Sequence, residues 1–329
     1  AQVRQFFEDL GVPTKCEDDL RVFPISNDGA DAVRAFERYF DSAAVEVELG
    51  THIIKAEKVA DKFHLYKKND QKEVFDKLII TTGGQAYRHT GSTGDGYAFA
   101  EALGHTVTEL GPSLNSFVLQ EGFLSEVSGL SFKNISLFAK CKDGRKHKVD
   151  GPILFTHKGM TGPAVFALSA MLAFSDISSD KPLNLKVDLL PSFSLSDLNE
   201  QWLDFLKQSP KKYFKHFLYL LLPKSLADLL DCEYDLKANH PADSLNNKTV
   251  GLIFEKIKNC QFHIVGRGKG DEFVTAGGVN RKEIDSKTMK SKITDGLYFA
   301  GEIMDVDGVT GGFNLQASWA CGYVAGMLG

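Results

Sequence analysis

Disulfide chemistry has little to work with in this chain. Its 329 residues hold five cysteines, Cys16, Cys141, Cys232, Cys260 and Cys321, scattered and without a C-x-x-C spacing. An odd, unspaced set excludes a disulfide framework and a cysteine zinc site, and a reduced, cytoplasmic setting is expected. Long apolar runs are missing as well. The richest, 163–174, ends at Ser175-Asp176, short of the roughly 20 residues a spanning helix needs. The start shows no basic segment followed by an apolar core, so no secretory signal is visible. Neither charge sign dominates: 38 basic and 43 acidic residues leave −5. That balance favours neither a nucleic-acid backbone nor an anionic membrane. The expected partner is a small-molecule substrate, and the oligomeric state is not readable.

Protein nucleophiles and metal motifs are absent too. There is no Ser/His/Asp set, G-x-S-x-G, H-E-x-x-H or Walker A sequence. Asp305-Val306-Asp307-Gly308 begins like a calcium loop, but an EF-hand needs Gly at its sixth position and Glu at its twelfth. Those positions hold Thr310 and Gln316, so no metal is expected. The absence of protein nucleophiles agrees with a cofactor doing any chemistry. The pyrophosphate signature G-x-G-x-x-G is missing as well. Its nearest substitute, Gly266-Arg267-Gly268-Lys269-Gly270, has the wrong spacing and two cations. The first βαβ unit of a Rossmann-type domain is therefore expected to be absent from this chain.

What is present reads as two or three domains. Val3, Phe6, Phe7 and Leu10 lie on one helical face, capped by Gly11. Ser26-Asn27-Asp28 caps a helix carrying Val33, Phe36 and Phe40. Val45, Val47 and Leu49 alternate with glutamates as in a half-buried strand. An antiparallel meander over 52–75 leads into Leu78-Ile79-Ile80, apolar enough for a central parallel strand. It ends at Thr82-Gly83-Gly84. Gly94-Asp95-Gly96 opens a helix ending at Gly104. Residues 117–187 are β-rich, with a hairpin turn at Lys142-Asp143-Gly144-Arg145. The basic cluster around that turn (Lys140, Lys142, Arg145, Lys146, His147, Lys148) reads as a solvated face. Helical stripes follow over 194–230, then a helix with Val250, Ile253, Phe254 and Ile257, and a strand over 261–265.

The chain is organised around its C-terminal stretch. Leu297 to Ala300 is a buried-strand run ending in Gly301-Glu302; Asp305 and Asp307 follow in a loop, and Thr310-Gly311-Gly312-Phe313-Asn314 opens a helix rich in small residues. In open parallel sheets ligands sit at the carboxyl ends of strands and against helix N-termini. Paired glycines there let the backbone approach a flat ligand. Two such glycine-ended strands side by side would form a crevice.

These residues resemble the signature of the flavoprotein family that includes aminoacetone oxidase and a bile-acid 3-oxo Δ4 reductase. The resemblance extends, in the family's order, over Arg21-Val22-Phe23-Pro24, Thr82-Gly83-Gly84, Gly91-Ser92-Thr93-Gly94-Asp95-Gly96-Tyr97, Leu154-Phe155-Thr156-His157, Thr161-Gly162-Pro163 and Thr275-Ala276-Gly277-Gly278-Val279. The family has Gly before that Arg, where this chain has Leu20.

The resemblance implies an α/β fold: a Rossmann-like, glutathione-reductase-like FAD-binding domain, here without its N-terminal βαβ unit, with an inserted β-barrel-like domain and a small helical domain. The expected boundaries are 1–115 and 271–329 for the FAD domain, 116–192 and 246–270 for the β-rich domain, and 193–245 for the helices. FAD is the implied cofactor, with NAD(P)H as a possible electron donor. Its expected contacts are Thr82, Gly83, Gly84, Gly301, Glu302, Asp305, Thr310, Gly311, Gly312, Phe313, Asn314 and Gln316, with His157 as a substrate-pocket candidate. Two redox modes are open: oxidation of a small amine by oxygen, or reduction of a conjugated ketone. A non-catalytic flavin module is the alternative.

Overall fold

Leu78–Ile80 and Leu297–Phe299 pair as parallel strands, with Leu297 opposite Leu78 and Phe299 opposite Ile80. Both faces of the second strand are covered. Leu297 and Phe299 turn toward a core with Phe63, Ile80, Tyr97, Val279 and Ile303. Tyr298 and Ala300 turn toward Cys321 and Ala325 of the C-terminal helix, Phe313–Leu328. Two-sided burial is why this run shows no polar alternation. The computed structural model describes residues 2–18, 20–141, 144–268 and 272–328.

These elements belong to the first of two units, Ala1–Pro112 with Phe273–Gly329. The same unit holds a three-stranded meander, Ile53–Val59, Lys62–Lys67 and Lys72–Phe75. Helix Asp95–Ala102 starts from Gly94 in a left-handed conformation. Helices Gln2–Asp9 and Ala30–Ser42 carry Phe7 and Phe36, whose rings lie 5.3 and 5.5 Å from that of Trp319.

The second unit, Ser113–Glu272, is built on a closed six-stranded barrel. Its strands are Phe117–Leu119, Ser131–Lys140, Lys146–Thr156, Gly159–Thr161, Leu183–Asp188 and Cys260–Arg267. Closure leaves no unpaired edge. Helix Leu195–Gln208 begins with a capping box in which Ser194 and Asp197 satisfy each other's backbone N–H. Arg267 ties the end of its strand to helix Pro163–Met171, donating to the carbonyl oxygens of Leu172 (2.6 Å) and Ser175 (3.2 Å) just beyond it. The Gly266-Arg267-Gly268 stretch is thus barrel structure; Lys269 and Gly270 lie outside the described residues.

Three expectations differ from the structure or fall outside it. Residues 193–245 are part of the barrel's unit where a separate helical domain was expected. Leu198, Trp202, Phe214 and Phe217 share one buried cluster with the barrel's Leu137, Leu185 and Phe262. An amphipathic stripe marks which face is buried, not against what. The strand expected over 45–49 is irregular chain: Val45, Val47 and Leu49 are 48%, 53% and 88% exposed, and the segment joins no ladder among the described residues. Of the hairpin turn, Lys142 and Asp143 lie outside the described residues, while the flanking strands pair down to Lys140 opposite Lys146.

Candidate functional site

At the carboxyl end of Leu78–Ile80 the chain turns through Gly83, with φ +72°, into Gly84. A Cβ at Gly84 would lie 2.4 Å from the Thr275 hydroxyl and 2.6 Å from Glu302 Oε1. Only glycine allows this approach. The Thr275 hydroxyl accepts from the Gln85 N–H (2.7 Å), and the Thr275 N–H donates to Glu302 Oε1 (2.9 Å). Ser92 Oγ donates to the Gly84 carbonyl (3.0 Å). Three distant chain segments are therefore knotted where the two parallel strands end. A second close approach seats the helix Asp95–Ala102: a Cβ at Gly96 would fall 1.9 Å from Thr82 Oγ1.

Burial pushes the Glu302 carboxyl above its usual range, Asp307 adds repulsion, and the hydrogen bonds from Thr275 oppose both. Tyr97 is 5% exposed, and its hydroxyl has no hydrogen-bond partner among the described residues. Burial and the nearby Glu302 charge push that phenol up to about 12. A carboxyl held this way suits hydroxyl groups better than a phosphate, whose charge it would repel.

On the other side of Glu302 lies a cavity of about 490 Å³ lined by Gly301, Glu302, Met304, Asn314, Ser318 and Cys321, among others. The Gly301 N–H donates to Cys321 Sγ at 3.0 Å. The helix start above it has Gly311 and Gly312 at φ +123° and +82°. Among the described residues, no atom beyond its immediate chain neighbours lies within 4 Å of the place a Gly312 side chain would take. The first N–H groups of a helix have no intrahelical partners and carry its positive end.

The expected residues fall at different places. Gly83, Gly84, Gly301 and Glu302 converge. Thr82 packs on Gly96. The Asn314 carboxamide is committed to Gly308, accepting from its N–H (2.7 Å) and donating to its carbonyl (3.0 Å), so it shapes the loop. The Asp305 N–H donates to the Val279 carbonyl. Phe313 and Gln316 are exposed and Thr310 is half-buried. His157 is exposed in the two-residue turn after strand Lys146–Thr156 of the barrel unit. Among the described residues no group of His, Cys, Asp and Glu could hold a metal, and no described helix is long and apolar enough to cross a membrane. Thr275, Gly96 and Tyr97 were not singled out from the sequence; the Thr275–Val279 and Gly91–Tyr97 stretches were the signal.

Glycine-ended parallel strands, a small-residue helix over them and a barrel inserted in sequence between the two halves define a Rossmann-like α/β domain with an added barrel unit. The chain belongs to the HI0933-like protein Rossmann domain family, whose profile matches residues 1–328. It is 29% identical over 327 residues to a 3-dehydro-bile acid delta(4,6)-reductase of Clostridium scindens, covering 98% of this chain and 78% of that protein. A ribosomal RNA dihydrouridine synthase of Haemophilus influenzae is 34% identical over 254 residues, 76% of this chain and 59% of that protein. Its Escherichia coli counterpart is 31% identical over 252 residues, 75% and 60% respectively. The match spans less than two thirds of either synthase. Family and reductase relative place this chain among the oxidoreductases.

Proposed function

We propose that the chain holds FAD at the crevice and reduces a carbon–carbon double bond conjugated with a carbonyl. The observation that carries this is the Gly84–Thr275–Glu302 knot, which lies where two parallel strands end and provides a carboxyl suited to hydroxyl groups. The open Gly312 helix start supports it. These residues fit the ribityl and ring portions of a flavin. The names of the relatives supply the reaction type, since both a bile-acid delta(4,6)-reductase and a dihydrouridine synthase imply saturating such a bond.

A bound flavin supplies two-electron transfer at its N5 atom, recharged by NAD(P)H. The chain's share is binding and electrostatics. Glu302 accepts hydrogen bonds from hydroxyls along the crevice, with its orientation fixed by the Thr275 N–H. The first turn of helix Phe313–Leu328 would offer N–H groups and its positive end to negative charge that a bound flavin carries. The product balances as hydride on one carbon of the double bond and a solvent proton on the other.

The test is an anaerobic titration of the FAD-loaded chain with NADPH and NADH, followed by addition of 2-cyclohexenone. Bleaching of the 450 nm band by a nicotinamide and its recovery on the enone support the reading. Bleaching by aminoacetone with recovery only in air would instead make the chain an amine oxidase. A yellow protein that no donor bleaches would leave only a binding module. Gly312→Val places a β-branched side chain at the helix start and should strip the flavin with a smaller loss of stability; stoichiometric flavin in this variant would refute the assignment of this turn.

A further inference from the structure

The outer wall of the barrel carries a charge distribution that the net charge of −5 conceals. Residues 113–272 hold 20 basic and 18 acidic residues, 20 − 18 = +2, leaving −7 on the rest of the chain. Within that unit, 131–148 alone has six basic residues against one acid.

Strand register decides where these cations go. Lys148 lies opposite Phe138, and Phe138 opposite Lys186, so the three make one row across adjacent strands. Lys146 and Lys140 form the next row. Their sequence neighbours Leu137, Ala139, Leu185 and Val187 are buried inside, which sends the lysines and Phe138 outward. The Lys186 ammonium sits 4.3 Å from the centre of the Phe138 ring and that of Lys148 5.6 Å. Beside the ring opens a depression of about 110 Å³ whose lining includes Leu195, Asp188, Lys258 and Asn259.

Among the described residues, the acids on this wall lie at one end and are engaged. Asp150 pairs with Lys148 at 3.1 Å and accepts from Ser136, and Asp188 pairs with Lys258 at 2.8 Å. Among the described residues no carboxylate pairs with Lys140, Lys146 or Lys186.

We propose that this wall is a docking surface for a single-stranded polynucleotide. A flat aromatic ring ringed by flexible cations is the chemistry that binds such strands: bases stack on the ring and phosphates take the charges. Neighbouring strands lie about 4.8 Å apart and alternate residues about 6.8 Å apart along a strand, so the ammonium groups form a grid a phosphate chain can follow. A base arriving on Phe138 displaces the Lys186 ammonium toward the adjoining phosphate. An anionic membrane is the less suited occupant, because among the described residues the apolar surface beside the lysine rows is limited to Phe138 and Leu195.

Fluorescence anisotropy of a labelled 12-nucleotide oligouridylate with the full FAD-loaded chain, from 50 to 200 mM salt, tests this. Four neutralised phosphates give a slope of log K against log salt of about −3. Lys148→Glu with Lys186→Glu should halve that slope and weaken binding at least tenfold. Phe138→Ala should weaken binding about tenfold and leave the slope unchanged. Unaltered melting temperature and flavin absorption in each variant exclude misfolding and keep this result separate from the redox reading. Absence of binding at 50 mM salt would overturn the proposal, as would affinity indifferent to the lysine reversals. So would lysine-dependent binding to phosphatidylserine vesicles with none to the oligonucleotide.

Discussion

The contact between Gly96 and Thr82 can be tested as a double-mutant cycle. A Cβ at Gly96 would stand 1.9 Å from Thr82 Oγ1, with Ile303 Cδ1 at 3.0 Å and Thr82 Cβ at 3.1 Å. Gly96→Ala must therefore force Thr82 into another rotamer or lift the helix, an overpacking cost of about 1–3 kcal/mol. Gly96 has ordinary helical dihedrals, so alanine returns up to about 1 kcal/mol of helix propensity. The net loss is about 1–2 kcal/mol, or a few degrees of melting temperature at about 2–4 °C per kcal/mol for a unit of this size. Thr82 is exposed, and Thr82→Ala alone should stay within about 0.5 kcal/mol. In the double variant the 1.9 Å contact is gone and only near-contacts remain, so stability should return to that of the parent, a coupling of about 1–2 kcal/mol. Urea unfolding of all four proteins by far-ultraviolet circular dichroism, with the slope m checked for constancy, measures the cycle. A Gly96→Ala protein as stable as the parent, or a double variant no better than the single, would refute the argument.

Glu302→Gln should change how stability depends on pH. The folded carboxyl titrates above its unfolded value because burial favours its neutral form; its contribution is complete below the unfolded value and is lost as pH rises through the folded one. Melting temperatures from pH 4 to 8 should therefore fall less steeply in the Gln variant, which should be the more stable protein at pH 8; parallel curves would refute the burial argument. Trp202→Ala removes a ring that is fully buried and hydrogen-bonded through Nε1 to Asn247 at 3.3 Å. The expected loss is about 3–5 kcal/mol, read as a lower urea midpoint, and a loss under about 1 kcal/mol would mean the helices do not share the barrel's core.

Much of this architecture is legible in residue patterns. Two-sided burial leaves Leu297–Phe299 uniformly apolar; Leu78–Ile80 is equally apolar although Ile79 is 37% exposed, and glycines mark where both strands end. The capping box at Ser194 announces its helix. Patterns with no partner information mislead: Val45, Val47 and Leu49 alternate as a strand does, yet alternation supplies no neighbour to bond. The site divides in the same way. Gly83, Gly84, Gly301 and Glu302 are conspicuous locally, whereas Thr275 acts through a contact with Gly84 from 191 residues away. Asn314 is conspicuous as well, but an amide at a helix start reads alike whether it faces a ligand or its own loop; its carboxamide bonds Gly308 while the residue also lines the cavity.

The Asn314 carboxamide imitates a peptide group. It gives Gly308 one acceptor and one donor, as a neighbouring strand would. The short loop before the helix is thus latched by a side chain rather than by its own backbone ladder. Val309 and Thr310 lie inside the latch, free of the duty of holding it shut, and can vary without shifting where the helix begins. The latch itself tolerates little change: aspartate keeps the acceptor but loses the donor. Diversification of this loop is therefore cheap at Val309 and Thr310 and expensive at Asn314, the amide in the first turn of the helix that follows.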